Sequence, residues 1–594
     1  MSGLVSVLSI AREALAVQQY GMDVTGHNVA NVSTEEYSRQ SPVLEAKRPA
    51  PYANQLFGTG VQIAQITRNV DRFVEARLMD RRMELASSSE KEVHMSVLEG
   101  LFNQTSDQNL AAQFSDFWNA WHDLANNPSG LAERDVLLER GDLLAQGFAD
   151  LATEMTQISR EINLSLQAGV DEINQLTSQL AALNGEIVTL EALGNTNDLR
   201  DKRTKILNRL AEYMDIKFFE HDDGGITVMT KSGFALADKV HSYRLTLEDN
   251  EVKWEGSSGT WVPITDTLRQ GKFGGWLDMR DSILPKVQAD LDELARSTIW
   301  EVNKIHTQGA GLSLYTTGET LTSTYATITR LGDLAFGDRV DFSGTFKLWI
   351  GDSNGENLQD VTIDMDFAGG DVDENSTFAE LRDSVNAQIA AQRPALAGAV
   401  SVAVSASGNR IEISSDGSHT FGFSEDSSNL LAALGLHTFF TGSNATGMEV
   451  NPILRSDPGL VAAGRIDAST GEVAAGDGSN ALAMADLQFL GVSMKRWSFE
   501  RGAAPTSVDI SDTPLESFLH ALVSSIGLQS QSIQRAKEYN ELLTNQLTEA
   551  RDSVSAVSLD EEMTEMIKYQ HAYSAAAKLI SAADEMLRAL IEAK

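Results

Sequence analysis

The 594-residue chain contains no cysteine. Disulfides, thiolate metal ligands and cysteine nucleophiles are all excluded, and a chain without thiols can leave a compartment unfolded without being caught by a stray cross-link. Basic charge is scarce: 47 Lys and Arg stand against 84 Asp and Glu, a formal net charge of −37. Such a chain repels phosphate backbones, so nucleic acid is not expected among its partners. No apolar run reaches the ~18 residues of a membrane-spanning helix, so no membrane is expected either. Met1–Arg12 has no basic start, its apolar run is broken by serines, and no small-residue cleavage site follows. It is not expected to act as a secretory signal.

Motifs for chemistry are also missing. None of the ten histidines sits in His-Glu-x-x-His or in an i,i+4 pair with an acid between, and neither a Gly-x-Ser-x-Gly elbow nor a P-loop is present. Gly309-x-Gly311 lacks the glycine spacing and the strand-to-helix context of a phosphate loop. The run Asp364, Asp366, Asp371, Asp373 and Glu374 could gather oxygens for calcium, but Ala368 replaces the third ligand, and a solvated acidic loop is the expectation. His306 ends a predicted helix, where a cation suits the helix dipole. Trp118, Trp121, Trp276 and Trp300 fall in apolar patterns that point to core burial. The expectation is a non-enzymatic protein with no catalytic, cofactor-binding or metal residues and no cofactor.

The chain does have the means to build cores. Hydrophobic residues make up 42% and charged residues 22%, a globular composition, and the length suggests roughly four domains. Leu4, Leu8, Ala11, Leu15, Met22 and Val29 recur at steps of three and four, predicting an amphipathic helix that stops near Asn31. Leu559, Met563, Met566, Gln570, Tyr573, Ala577, Ile580, Leu587 and Ile591 repeat that spacing at the other end, after a Ser558…Glu561 capping box. A terminal helix pair alone buries little. The pattern therefore admits two readings: the ends pair within one monomer, or they wait for neighbouring chains.

Ala30-Asn31-Val32-Ser33-Thr34-Glu35-Glu36-Tyr37-Ser38-Arg39-Gln40 resembles the amino-terminal motif of bacterial flagellar rod, hook and hook-associated axial proteins. Leu559-Asp560-Glu561-Glu562-Met563 through Tyr569-Gln570, Tyr573, Ala575-Ala576 and Ala583-Asp584-Glu585-Met586-Leu587 resembles their carboxyl-terminal motif. In the interior, Asn197-Asp198-Leu199-x-Asp201-x-Arg203 is similar to a signature of the hook-associated members. Three more stretches agree: Leu277-Asp278-Met279-Arg280-Asp281, Leu291–Ala295 with Val302–His306, and Gly478–Ala483. The resemblance implies a structural protein of the hook–filament junction whose terminal helices self-assemble. It further implies a ring of copies, contacts to hook protein and to the next hook-associated protein, and a cytoplasmic export chaperone that covers the carboxyl-terminal helix. Export through the flagellar type III pathway and a place on the external flagellum follow from the same likeness. Leu4, Leu8, Leu15, Met22, Val29, Asn31, Tyr37 and Arg39, with the carboxyl-terminal series above, are the expected assembly residues. A filament subunit, or an adhesin or enzyme carried on the central insert, are the alternatives.

The expected fold is multidomain α+β: an elongated helical bundle with coiled-coil termini built from both chain ends, β-rich outer modules, and an α+β insert. Residues 1–60 and 550–594 form the terminal assembly region. Residues 61–215 and 450–549 form the bundle, with one very long helix from Leu144 to Leu190. Residues 216–315 hold a β module plus a helix, and 316–449 the surface insert, where alternating strands surround a helix at Thr377–Ala391.

Overall fold

The seam of apolar residues that starts at Leu144 belongs to a helix of 61 residues, Leu131–Glu191, about 90 Å long at 1.5 Å per residue. Leu144, Phe148, Met155, Ile158, Ile162, Leu166, Val170, Ile173, Leu180 and Ile187 are all buried along it. Each such side chain contributes roughly 1.5–3 kcal/mol, so this stripe is held by packing. The computed structural model describes residues 2–52, 55–102, 109–191, 194, 196–256, 258–316, 320–326, 329–368, 371–467, 471–472 and 474–592. Asn195, within the glycine-led turn before the interior signature, lies outside them. Among the described residues no helix is long and apolar enough to cross a membrane.

The chain forms two compact units, Met1–Val93 with Glu161–Met279 and Gln531–Lys594, and His94–Arg160 with Arg280–Ser530. The first contains the terminal helices Ser2–Ala30 and Leu559–Glu592, which lie antiparallel, since Gly21 meets Tyr569 while Asn28 meets Glu562. A bulged hairpin, Gln40–Ala46 with Val61–Arg68, follows the first helix. The helix Asn197–Tyr213 leads into an antiparallel four-stranded sheet running Ile216–Glu220, Ile226–Thr230, Ala235–Asp238, His241–Ser242 in both sequence and space. Asn184 of the long helix fixes this sheet by donating to the carbonyls of Ile226 and Lys239.

In the second unit, the helix Leu110–Asn126 is capped by Asn109, whose side chain accepts from the Ala112 amide. It buries Phe114, Phe117, Trp118 and Trp121. Phe439 and Phe440 pack on Phe117, and the Phe439 ring also meets Trp121. Asn303 accepts from the amides of Phe439 and Phe440, so this short segment of the expected insert is anchored in the helical core. The rest of the insert is built around Thr345–Asp352, flanked by Gln359–Asp364 and His419–Ser424. Its helix Phe378–Gln392 starts with a capping box between Thr377 and Glu380 and buries Leu381, Val385 and Ile389. In the acidic loop, Asp364 caps the Asp366 amide and Asp373 holds Asn375 and Ser376. Among the described residues no three His, Asp or Glu side chains gather as metal ligands.

His306 departs from expectation. It is fully buried and neutral, not an exposed cation serving the helix dipole. Its Nε2 accepts from the Ala462 amide at 3.1 Å, which leaves the proton on Nδ1 to be donated to the His437 carbonyl at 2.8 Å. His437 is fixed likewise, with Nε2 donating to the Gly309 carbonyl at 3.1 Å and Nδ1 accepting from the Tyr315 hydroxyl at 2.8 Å. Burial holds both imidazoles below their ordinary range. Segments more than a hundred residues away in sequence bury this helix end. No local pattern announces that.

Candidate assembly interface

The three motif segments that are distant in sequence meet around one buried amide. Asn28 Nδ2 donates to the Gln40 carbonyl at 2.9 Å and to Glu562 at 3.0 Å, while its Oδ1 accepts from the Gln40 amide at 3.0 Å and from the Tyr37 hydroxyl at 2.8 Å. All four hydrogen-bonding positions of the side chain are filled, which also fixes which end is oxygen. Arg39 grips the start of the carboxyl-terminal helix, with Nε at 2.6 Å from Glu562 and Nη1 at 2.6 Å from Glu561. Glu562 is buried and Glu561 is exposed. Of the two ion pairs the first is the one shielded from water and salt.

The interior signature closes the other side. Gln40 donates to Asp198 at 2.8 Å and accepts from Asn197, whose amide also holds the Ile66 carbonyl. Asp201 pairs with Arg68 at 2.8 Å and accepts from the Ser38 amide. Burial pushes the Asp201 carboxyl up, and the Arg68 charge opposes that. Burial and the Asp198 charge raise the Tyr37 phenol, so it remains a hydroxyl that donates to Asn28. Arg203 reaches away from the knot to Glu220 and the Gly224 carbonyl.

Glu36, at the centre of the amino-terminal motif, has φ of 59°, a left-handed conformation that costs a non-glycine residue about 1–2 kcal/mol. Its carboxylate is held by Arg82 at 3.1 Å and Arg551 at 2.7 Å. These paired cations hold the turn, which is why a charged residue stands where glycine would be relaxed.

The expected assembly residues fall into three groups. Tyr37 and Arg39 belong to the knot, and Asn31 closes the helix end by donating to the His27 carbonyl and accepting from Thr34. Leu4, Leu8, Leu15, Met22, Val29, Met566, Ala577, Ile580 and Leu587 are half-buried along the flanks of the helix pair. Leu559, Met563, Gln570, Tyr573 and Ile591 are exposed. The buried positions are instead Ala11, Val17, Gly21, Val24, Thr25 and Asn28 on one helix and Glu562, Ala576 and Ala583 on the other, with Gly21 against Tyr569 and Asn28 against Glu562. Small residues let the helices approach. A Cβ on Gly21 would stand 2.5 Å from the Tyr569 ring. Gly21→Ala should therefore force the helices apart, weakening their pairing by about 1–3 kcal/mol. Hydrogen exchange of the Met22–Val29 amides reads this directly, and unchanged protection would show that Tyr569 simply swings aside.

Residues 95–321 match the family model described as Flagellar hook-associated protein FlgK helical domain, and residues 551–593 match Flagellar basal body rod FlgEFG protein C-terminal. The chain is 24% identical to flagellar hook-associated protein 1 of Bacillus subtilis (strain 168), with 98% of this chain and 97% of that one covered. It is 22% identical to flagellar hook-associated protein 1 of Escherichia coli (strain K12), with 99% of each covered. The solved structure of the flagellar hook junction protein FlgK from Burkholderia pseudomallei aligns with a TM-score of 0.48 and 16% identity, covering 81% of this chain and 100% of that one.

Proposed function

This chain belongs to the flagellar hook-associated protein 1 family, and from that premise we propose that it forms the junction between hook and filament by lateral self-assembly of its terminal helices. Copies form a ring that receives hook protein on one side and the next hook-associated protein on the other. The chain reaches that place by the flagellar type III route, with a cytoplasmic chaperone covering the carboxyl-terminal helix until export, and it functions on the external flagellum.

One observation carries this reading. The helix pair satisfies its inner face with small residues and leaves large apolar residues outside: Met563 is 54%, Leu579 54% and Ile591 66% exposed. Val5, Tyr20, Leu559, Ile567 and Met586 add to the same exposed set. Monomeric proteins rarely leave so much apolar surface on adjoining helices unless a partner covers it. The half-buried Leu15, Met22, Met566 and Ile580 flank that surface and would be completed by it.

Immunogold labelling of purified hook–filament preparations tests the location, and label spread along filaments would overturn it. Met563→Asp tests the mechanism. An added carboxylate at this exposed position should leave the melting temperature of the monomer unchanged, because it touches no core. It should abolish filaments in a strain lacking the native gene, because the assembled interface would bury an unpaired charge. Loss of monomer stability with normal assembly would reverse the assignment.

A further inference from the structure

Among the described residues, two strand edges carry exposed apolar side chains beside charges of opposite sign. The first is Ile216–Glu220, whose only strand neighbour among the described residues is Ile226–Thr230. It carries Phe218 and Phe219, 41% and 48% exposed. It borders a groove of about 920 Å³ whose far wall is the strand Val61–Arg68. On that far wall the Ile66 carbonyl is already taken by Asn197, so the edge on offer is Ile216–Glu220. At its Glu220 end stand Arg72, Arg200 and Arg203, all reaching the one carboxylate of Glu220. The Arg72 side chain is 87% exposed. Arg200 also pairs with Glu191, so three guanidiniums meet two carboxylates and leave a net positive spot on a chain of net charge −37.

The second edge is Thr506–Thr513, which among the described residues pairs only with Val492–Ser498. Ile510 is 62% exposed, and Asp512, two residues on, is also exposed. An exposed apolar edge invites strand addition, and proteins that keep one ordinarily cover it.

We propose that the Thr506–Thr513 strand of one copy adds to the Ile216–Glu220 edge of the next. The two-residue spacing fixes the register. With the strands parallel, Ile510 lies beside Phe218, and Asp512 falls beside Glu220, within the arginine cluster. Backbone hydrogen bonds supply affinity, and the Phe–Ile contact with the carboxylate–guanidinium pairs supplies specificity. The occupant is a second copy because the chain itself carries the complementary edge. Since the two edges are different surfaces, the contact is head-to-tail, the kind that propagates into a ring or a helix. This inference rests on the reading that copies of the chain assemble, and adds a sheet contact to that of the terminal helices.

The absence of native cysteine makes the test clean. Phe218→Cys and Ile510→Cys are made in separate full-length chains, expressed together, assembled into hook–filament preparations and oxidised. Adjacent strands bring Cα atoms to the ~4.4–6.8 Å a disulfide needs, so the mixture should give a reducible dimer, and the doubly substituted chain a ladder of multimers. Each single variant alone should stay monomeric. If immunogold places the protein at the junction and no band forms above monomer, the strand contact is wrong while the junction reading stands. Absence of label from the junction would bring down both. Ile510→Lys, which sets a lysine beside the exposed phenylalanines and the arginines, gives a second measure. Filaments per cell should fall at least tenfold with the monomer melting unchanged, and a normal filament count overturns the proposal.

Discussion

Glu562→Ala should release the carboxyl-terminal helix from the amino-terminal one and stop filament formation. Glu562 is 2% exposed and is the shared acceptor for Arg39 and Asn28. Removing it strands a buried amide and half of a guanidinium's partners. Breaking a buried pair from one side costs about 3–5 kcal/mol. Because Glu561 still holds Arg39 from the exposed side, the expected loss is about 2–4 kcal/mol. Amide exchange in Leu559–Glu592 should quicken by roughly 30- to 1000-fold, since 1.4 kcal/mol is a factor of ten. Exchange in Leu110–Asn126, in the other unit, should not change. Glu562→Gln keeps one of the two acceptor oxygens that serve Arg39 and Asn28 and turns an NH2 towards the other donor, so it should lose less than alanine but not be neutral. Unaltered exchange in both terminal helices of the alanine variant would show that the knot is not what fastens them.

Acid should loosen the second unit through His306 and His437. An imidazole whose folded value is depressed takes up protons more readily when unfolded, so its contribution to stability is complete above the unfolded value of 6.5 and is lost as pH falls below it. His437 is pushed down to about 4 by burial, and that difference corresponds to about 3 kcal/mol between pH 6.5 and 4. His306 is lowered in the same direction, first by burial and then by repulsion from His437 and Arg134. Protonating it would aim a second N–H at the Ala462 amide, which already donates to that nitrogen. Asp426 acts the other way in the same window. Burial pushes its carboxyl up to about 6, so the folded state gains from its protonation as pH falls. The informative quantity is therefore the difference between wild type and His437→Gln, which can keep the bonds to Gly309 and Tyr315 without titrating. Urea unfolding followed by tryptophan fluorescence should show the wild-type midpoint falling relative to that of His437→Gln as pH drops from 6.5 towards 4. Parallel curves over that range would show that His437 is free to charge in place.

Much of the fold is written locally. The stripe from Leu144 to Ile187, the helix starting at Thr377 and the strands at Thr345, Gln359, Val400 and Ile411 all follow from period and composition, and the structure places them within a few residues of expectation. The terminal helices are legible as helices but not in their facing. A seam drawn through the largest apolar residues selects Leu15, Met22 and Met563, whereas close approach selects glycine and alanine, because two helices touch where side chains are short. Gly21 and Ala576 carry no apolar signal strong enough to compete with leucine, so the inner face goes unread and the outer face is read in its place. The knot is legible only as separate motifs. Asn28, Gln40, Asp198 and Glu562 each look like solvated polar residues until the chain brings them together.

That convergence spans almost the whole chain: Asn28 and Glu562 are 534 residues apart. Such a contact cannot form until Glu562 has been synthesised, and contacts of large sequence separation are late and slow. The first 93 residues belong to a unit that is completed only by residues 161–279 and 531–594, whereas the other unit is whole once residue 530 has emerged. The order of synthesis therefore leaves Ser2–Ala30 unfastened until Leu559–Glu592 has followed. A chain in that state holds Ser2–Ala30 open, and it acquires its lock only once Glu562 has arrived to receive Arg39 and Asn28.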